Sequence, residues 1–170
     1  MYPNKHKQIV TSLMDGRFIT IDESYFDIVK ENQDFYAEFF AKSFGFELKN
    51  TQEFYYLISE ETNENTSRDI SIFFSIFCYE LDKDGKNFMD ELAFSAFHID
   101  EIIEYLKNSS WSDIINENKS LNSNENIKRL IGSTLVKRNI ATKHSDDKYS
   151  FTKAYKLFTD FARELLKYDK

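Results

Sequence analysis

The apolar positions of this 170-residue chain fall into runs with two different spacings. Ile70, Phe73, Phe74, Phe77, Cys78 and Leu81 recur three and four residues apart, the spacing of one helical face. Ile72, Ile76 and Tyr79 make the other side of that helix apolar too. A helix starting at Asp69 and apolar all round is expected to be central and buried. Ile28, Phe35 and Phe39 form a second stripe over residues 22–44, with Val29, Tyr36 and Phe40 beside it. That stretch exceeds the usual helix length, so a break is expected near Asn32. Asp22 is a candidate N-cap, and Gly45 suits the left-handed residue that ends a helix. Phe54-Tyr55-Tyr56-Leu57-Ile58 is continuously apolar instead, as in a strand covered on both faces.

The remaining segments fill in around these three. Residues 5–14 predict a short helix ended by Asp15-Gly16, and 17–21 an extended run. Strands are expected at 46–50 and 53–59, joined by Thr51-Gln52. The polar run 60–67 is the expected boundary between two domains, 1–60 and 61–170. After the central helix, a short strand is expected at 93–98, a helix from Asp100 to Leu106 and another at 112–117. Residues 123–137 have helical spacing, with Ile127, Leu130, Ile131 and Leu135 on one face and Lys128, Arg129, Ser133 and Lys137 on the other. Two extended runs follow, 139–143 and 148–152, joined through Ser145-Asp146-Asp147. Residues 151–168 predict an amphipathic closing helix through Tyr155, Phe158, Phe161, Ala162 and Leu165. Helices followed by a hairpin thus occur twice. The reading is a mainly α fold with small β-hairpins (α+β), laid out as tandem winged-helix domains.

Composition narrows the class. Aromatic residues make up 16 % of the chain, including 17 Phe and 10 Tyr, enough for a substantial core and against disorder of the whole chain. Two small domains do not readily bury that many rings, so part of the aromatic surface is expected to meet a partner. A single cysteine excludes an intramolecular disulfide framework and fits a reduced, cytoplasmic setting. The N-terminus lacks the apolar run of a signal peptide, and no apolar stretch reaches the roughly 18 residues of a membrane span.

The net charge of −7 is unevenly spread. Residues 1–60 carry −4, residues 61–120 carry −8, and residues 121–170 carry +5. An acidic body repels nucleic acid, whereas its basic end can meet phosphates locally. Lys128, Arg129, Lys137, Arg138, Lys143 and Lys148 are therefore the candidate DNA-contacting set, on the third helix and wing of the second module.

No feature supports a catalytic assignment, and no cofactor is implied. His6, His98 and His144 lie far apart, without metal-ligand spacing, and four scattered glycines form no phosphate-cradling loop. Cys78 sits on an apolar helical stripe and reads as a small buried hydrophobe. Residues 80–91 resemble a calcium loop, with Asp82, Asp84, Gly85 and Glu91 at suitable positions. Glu80 and Asn87 depart from that pattern.

Five segments carry a family resemblance. Leu13-Met-Asp-Gly-Arg-Phe-Ile19, Tyr25-Phe-Asp-Ile-Val29, Asn32-Gln-Asp-Phe-Tyr-Ala-Glu-Phe-Phe40, Phe44-Gly-Phe-Glu-Leu48 and Phe54-Tyr-Tyr-Leu57 resemble the MksE family of condensin subunits. MksE is similar in architecture to MukE, the kleisin-associated subunit of MukBEF. The resemblance implies a non-enzymatic, dimerising protein that binds a kleisin subunit. The kleisin in turn bridges the heads of an SMC-type ATPase that organises or partitions DNA, on the chromosome or in plasmid defence. A cytoplasmic, nucleoid-associated location follows from the same resemblance. The chain is shorter than MukE, and no individual kleisin-binding residue is carried over. Two other readings stay open: a stand-alone winged-helix transcription regulator, and a calcium-binding interaction protein.

Overall fold

The computed structural model describes residues 1–58 and 64–160. The first half comprises α1 (His6–Met14), β1 (Ile19–Thr20), α2 (Ser24–Glu31), α3 (Gln33–Phe44), β2 (Glu47–Asn50) and β3 (Phe54–Ile58). The break expected near Asn32 is present. Asn32 leaves the helical region at φ −120°, and its side-chain amide donates to the Ile28 carbonyl at 2.8 Å. Gly45 ends α3 in the left-handed region at φ 72°, where a Cβ would be strained. Asp22 does not cap α2; Glu23 holds that position, and its carboxylate accepts from Thr20 N and Arg17 instead.

The extended run expected over 17–21 supplies β1, which joins the first hairpin as a third strand. The antiparallel order is β1-β3-β2, with Ile19 opposite Tyr55 and Leu48 opposite Leu57. Alternation along β3 explains its unbroken apolar run. Tyr55 packs into a core with Ile9, Leu13, Ile19, Phe26, Val29, Tyr36 and Phe40. Phe54, its neighbour, faces the other way and joins Phe18 in the larger core of the second half.

That second half opens on α4 (Glu64–Lys83). Residues 64–67, part of the expected polar boundary, are the first turn of this helix, and residues 59–63 lie outside the described residues. Ile70, Phe73, Phe74, Phe77, Cys78 and Leu81 are all fully buried, as their spacing requires. Then come α5 (Phe88–Phe94), β4 (Phe97–His98), α6 (Ile99–Lys107), α7 (Ser112–Glu117) and α8 (Asn124–Arg129). The strand expected over 93–98 is shorter, because Ala93 and Phe94 finish α5. Nor does Asp100 cap α6. His98 does: its ring nitrogen accepts from Asp100 N at 3.2 Å, while the Glu101 carboxylate accepts from His98 N, a reciprocal box.

The helix expected over 123–137 forms with a local change of pitch. Ser123 caps α8 by accepting from Asn126 N at 3.1 Å. From Leu130 to Leu135 the backbone widens to a π-helix. Ile127, Leu130, Ile131 and Leu135 are nevertheless buried as predicted. Inside the widened turn, a Cβ on Gly132 would stand 3.0 Å from the Tyr149 hydroxyl. Gly132→Ala should therefore displace Tyr149 and lower the melting temperature by several degrees, read by thermal denaturation. An unchanged melting temperature would show that the ring moves aside freely.

β5 (Ala141–Lys143) and β6 (Lys148–Phe151) complete a second three-stranded antiparallel sheet, ordered β4-β6-β5. Asp146 and Asp147 turn the hairpin with φ 61° and 55°, a conformation Asp tolerates better than most residues. Phe151 belongs to β6, opposite Ala141, so the closing helix starts later than expected. Residues 153–155 form a 3₁₀ turn and 156–160 are helical; the rest of the expected helix, 161–170, lies outside the described residues.

Among the described residues the fold is mainly α-helical, with two small antiparallel sheets. Its halves meet along a bonded seam. Phe18 N donates to the Arg138 carbonyl at 2.9 Å. The Asn139 side chain donates to Phe18 O at 3.0 Å and to the Glu23 carboxylate at 2.8 Å. Lys156 and Lys153 reach Glu53 across the same line, and Phe18 meets Phe158 edge to face.

Candidate nucleic-acid and partner surfaces

Burial of Ile127, Leu130 and Ile131 leaves Lys128 and Arg129 on the outward side of α8. Lys137 is exposed at the end of the widened helix, and Lys143 and Lys148 are exposed on the second hairpin. The π-helical segment packs against β5, so helix and hairpin are neighbours. Five of the six sequence-predicted cations are thus solvent-facing on adjoining elements. Flexible exposed cations of this kind engage phosphate by charge without reading base identity. Asp147 lies 3.7 Å from Lys143 and dilutes the positive field at the hairpin tip.

Arg138 departs from the set. It is half-buried, its guanidinium lies 3.9 Å from the position of a Cβ on Gly16, and desolvation lowers its pKa. Its carbonyl accepts from Phe18 N. The residue therefore belongs to the seam rather than to the open basic face. Two further seam residues, Glu23 and Asn139, escaped the sequence reading. Asn139 is expected to open the extended run 139–143; instead it turns at φ 58°, and β5 starts at Ala141.

The three histidines and the carboxylates of residues 80–91 have structural roles. His6 stacks on Tyr2 at 4.5 Å and on Tyr36 at 5.6 Å, and burial lowers its pKa. His98 caps α6, and His144 shares a 2.7 Å hydrogen bond with Ser150. Most of the calcium-like segment is helical, and only residues 84–87 lie between helices. Residues 80–83 are the last turn of α4, the buried Glu80 carboxylate accepts from Ser109 Oγ at 2.7 Å, and Glu91 lies within α5. Among the described residues, no group of three His, Cys, Asp or Glu side chains is placed to hold a metal.

Burial pushes the Cys78 thiol up to about 12. Its thiolate is then scarce at pH 8, so native protein should resist a maleimide that labels the unfolded chain quickly. Rapid labelling of native protein by a mass-shift assay would show that Cys78 is not buried.

The aromatic surplus does reach the surface. Phe94 at the end of α5 is 85 % exposed, and Phe44 at the end of α3 is 46 % exposed. Phe44 stacks on Phe46, and Phe39 packs against Phe40 and Phe44. No helix among the described residues is long and apolar enough to cross a membrane. In comparisons with known proteins, a family model described as condensin complex protein MksE matches residues 4–163. No curated protein matches the chain.

Proposed function

The chain belongs to the MksE family of condensin complex proteins, and on that premise we propose that it is a non-enzymatic subunit of a bacterial SMC-type complex. The match over residues 4–163 carries this reading. In it, each half acts as a winged-helix unit, and apolar surface serves for pairing and for capture of a kleisin segment. The kleisin links the subunit to an SMC-type ATPase, in chromosome organisation or in defence against plasmids, within the cytoplasm and on the nucleoid. Exposed aromatic side chains such as Phe94 support a docking role, because apolar surface outside a core marks interaction sites.

The deciding experiment is co-purification with the kleisin-like protein and the coiled-coil ATPase encoded beside this chain. A stable complex is expected. Failure to retain either component under low-salt conditions would sink the proposal. A stand-alone regulator would instead show tight, sequence-selective DNA binding by the isolated protein near physiological salt.

Direct DNA contact is proposed for Lys128, Arg129, Lys137, Lys143 and Lys148, while Arg138 stays at the seam. Charge reversal at Lys128, Arg129 and Lys148 together should remove about two to three units of slope from the plot of log affinity against log salt. Fluorescence anisotropy with a short duplex measures this. Binding with an unchanged salt slope would place the DNA contact elsewhere.

A further inference from the structure

We propose that two copies of this chain pair through the open edge of β2, antiparallel, with Leu48 of one copy opposite Leu48 of the other. The inference rests on the pairing named above and specifies its surface. β2 is the outer strand of its sheet. The bond from Thr51 N to the Phe54 carbonyl, 2.9 Å, sets the phase of the ladder. Bonded and non-bonded pairs alternate in an antiparallel sheet. Glu47 and Lys49 therefore bond inward to β3, while Leu48 and Asn50 turn their N–H and C=O groups outward. The other side of β3 gives the same phase. The Ile21 N bond to the Glu53 carbonyl, 2.8 Å, makes Ile19 and Tyr55 the bonded pair toward β1. Tyr55, opposite Asn50, is thus turned away from β2. Among the described residues, no strand pairs with this outward edge.

An unpaired edge is a template for another strand, and native proteins usually blunt it with charge. Here the charges select a particular occupant. Glu47 and Lys49 share one face of β2 and lie 2.8 Å apart within the strand. About a two-fold axis at Leu48, Glu47 falls opposite Lys49 of the second copy, and Lys49 opposite its Glu47. Sliding the axis to Lys49 sets two lysines against each other, which is unfavourable across a strand pair. The edge is complementary to itself in one register, which is the property a homodimer interface requires. Apolar surface adjoins it, since the half-exposed Phe44 stacks on Phe46 at the start of the strand at 5.8 Å.

Sedimentation velocity across a concentration series tests the assignment with Glu47→Lys and Lys49→Glu. Each variant alone creates two like-charge contacts and should weaken self-association by about tenfold. Mixing the two variants should restore near-wild-type affinity as a heterodimer, and so should the double swap in one chain. Circular dichroism melting confirms that the folded monomer survives each change. A dimer indifferent to both reversals, or one the mixture fails to rescue, overturns the β2 edge while leaving pairing itself intact. A wild-type chain that stays monomeric throughout overturns both.

Discussion

Replacing Phe74 with alanine is expected to be the most damaging single truncation in the molecule. Phe74 is fully buried on α4. Its ring lies 5.2 Å from that of Phe151 on β6, 5.9 Å from that of Phe158, and 5.1 Å from Phe73. The side chain thus ties the central helix to the second sheet and to the segment after it. Removing a buried phenylalanine costs about 3–5 kcal/mol, because the lost transfer energy is compounded by a cavity. Against a typical total of about 5–15 kcal/mol, that is a large fraction of stability. For a chain this size it corresponds to a fall in melting temperature of roughly 6–20 °C. Phe74→Leu refills much of the space and should cost appreciably less. Urea denaturation of both variants gives the comparison. A loss below about 1 kcal/mol for the alanine variant would contradict the packing described, given the range known for such truncations.

Asn139→Ala is expected to rank next. Asn139 sits in the left-handed region, and its side chain holds both Phe18 O and the Glu23 carboxylate. Alanine forfeits two hydrogen bonds, one to a charged group, for about 2–3 kcal/mol. It also meets a steric penalty of about 1 kcal/mol at that φ. Asn139→Gly loses the same bonds without the backbone penalty, so it should recover about 1 kcal/mol of the difference. The two variants together separate bonding from strain. Equal losses would mean that the backbone geometry contributes nothing, and no loss in either would remove the seam bond from the account.

The elements that proved legible in the sequence were those fixed by nearby residues. The stripe from Ile70 to Leu81, the interruption at Asn32, the Gly45 terminus and both hairpins depend on contacts a few positions apart. The features that were not legible depend on distant partners. The run 17–21 reads as extended, but the place of β1 in the first sheet is set by Tyr55 and Phe54, which pair with it. β4 is expected within 93–98, but its pairing with Lys148 and Tyr149 is likewise hidden. Arg138 looked like one more cation on a basic helix; its seam position is set by Phe18 and Gly16, more than a hundred residues earlier. The calcium-like spacing, from which no cofactor is inferred, falls short of a full loop for a different reason. Ligand positions presuppose a loop, and α4 continues through residue 83. The π-helical turn left no trace in the apolar spacing, since all four buried positions stay on the core side.

The wall formed by β1 and β3 carries a further consequence. Phe54 and Tyr55 are adjacent in one strand, yet each anchors a different core. Cut at the junction, the first half would be left with Phe18 and Phe54 bare to water, and its partner would lack two plugs. Neither half can then be transplanted as an independent cassette, and a chimera joining halves from different relatives would have to carry these rings along. Heredity is expected to treat the pair of units as one inseparable part.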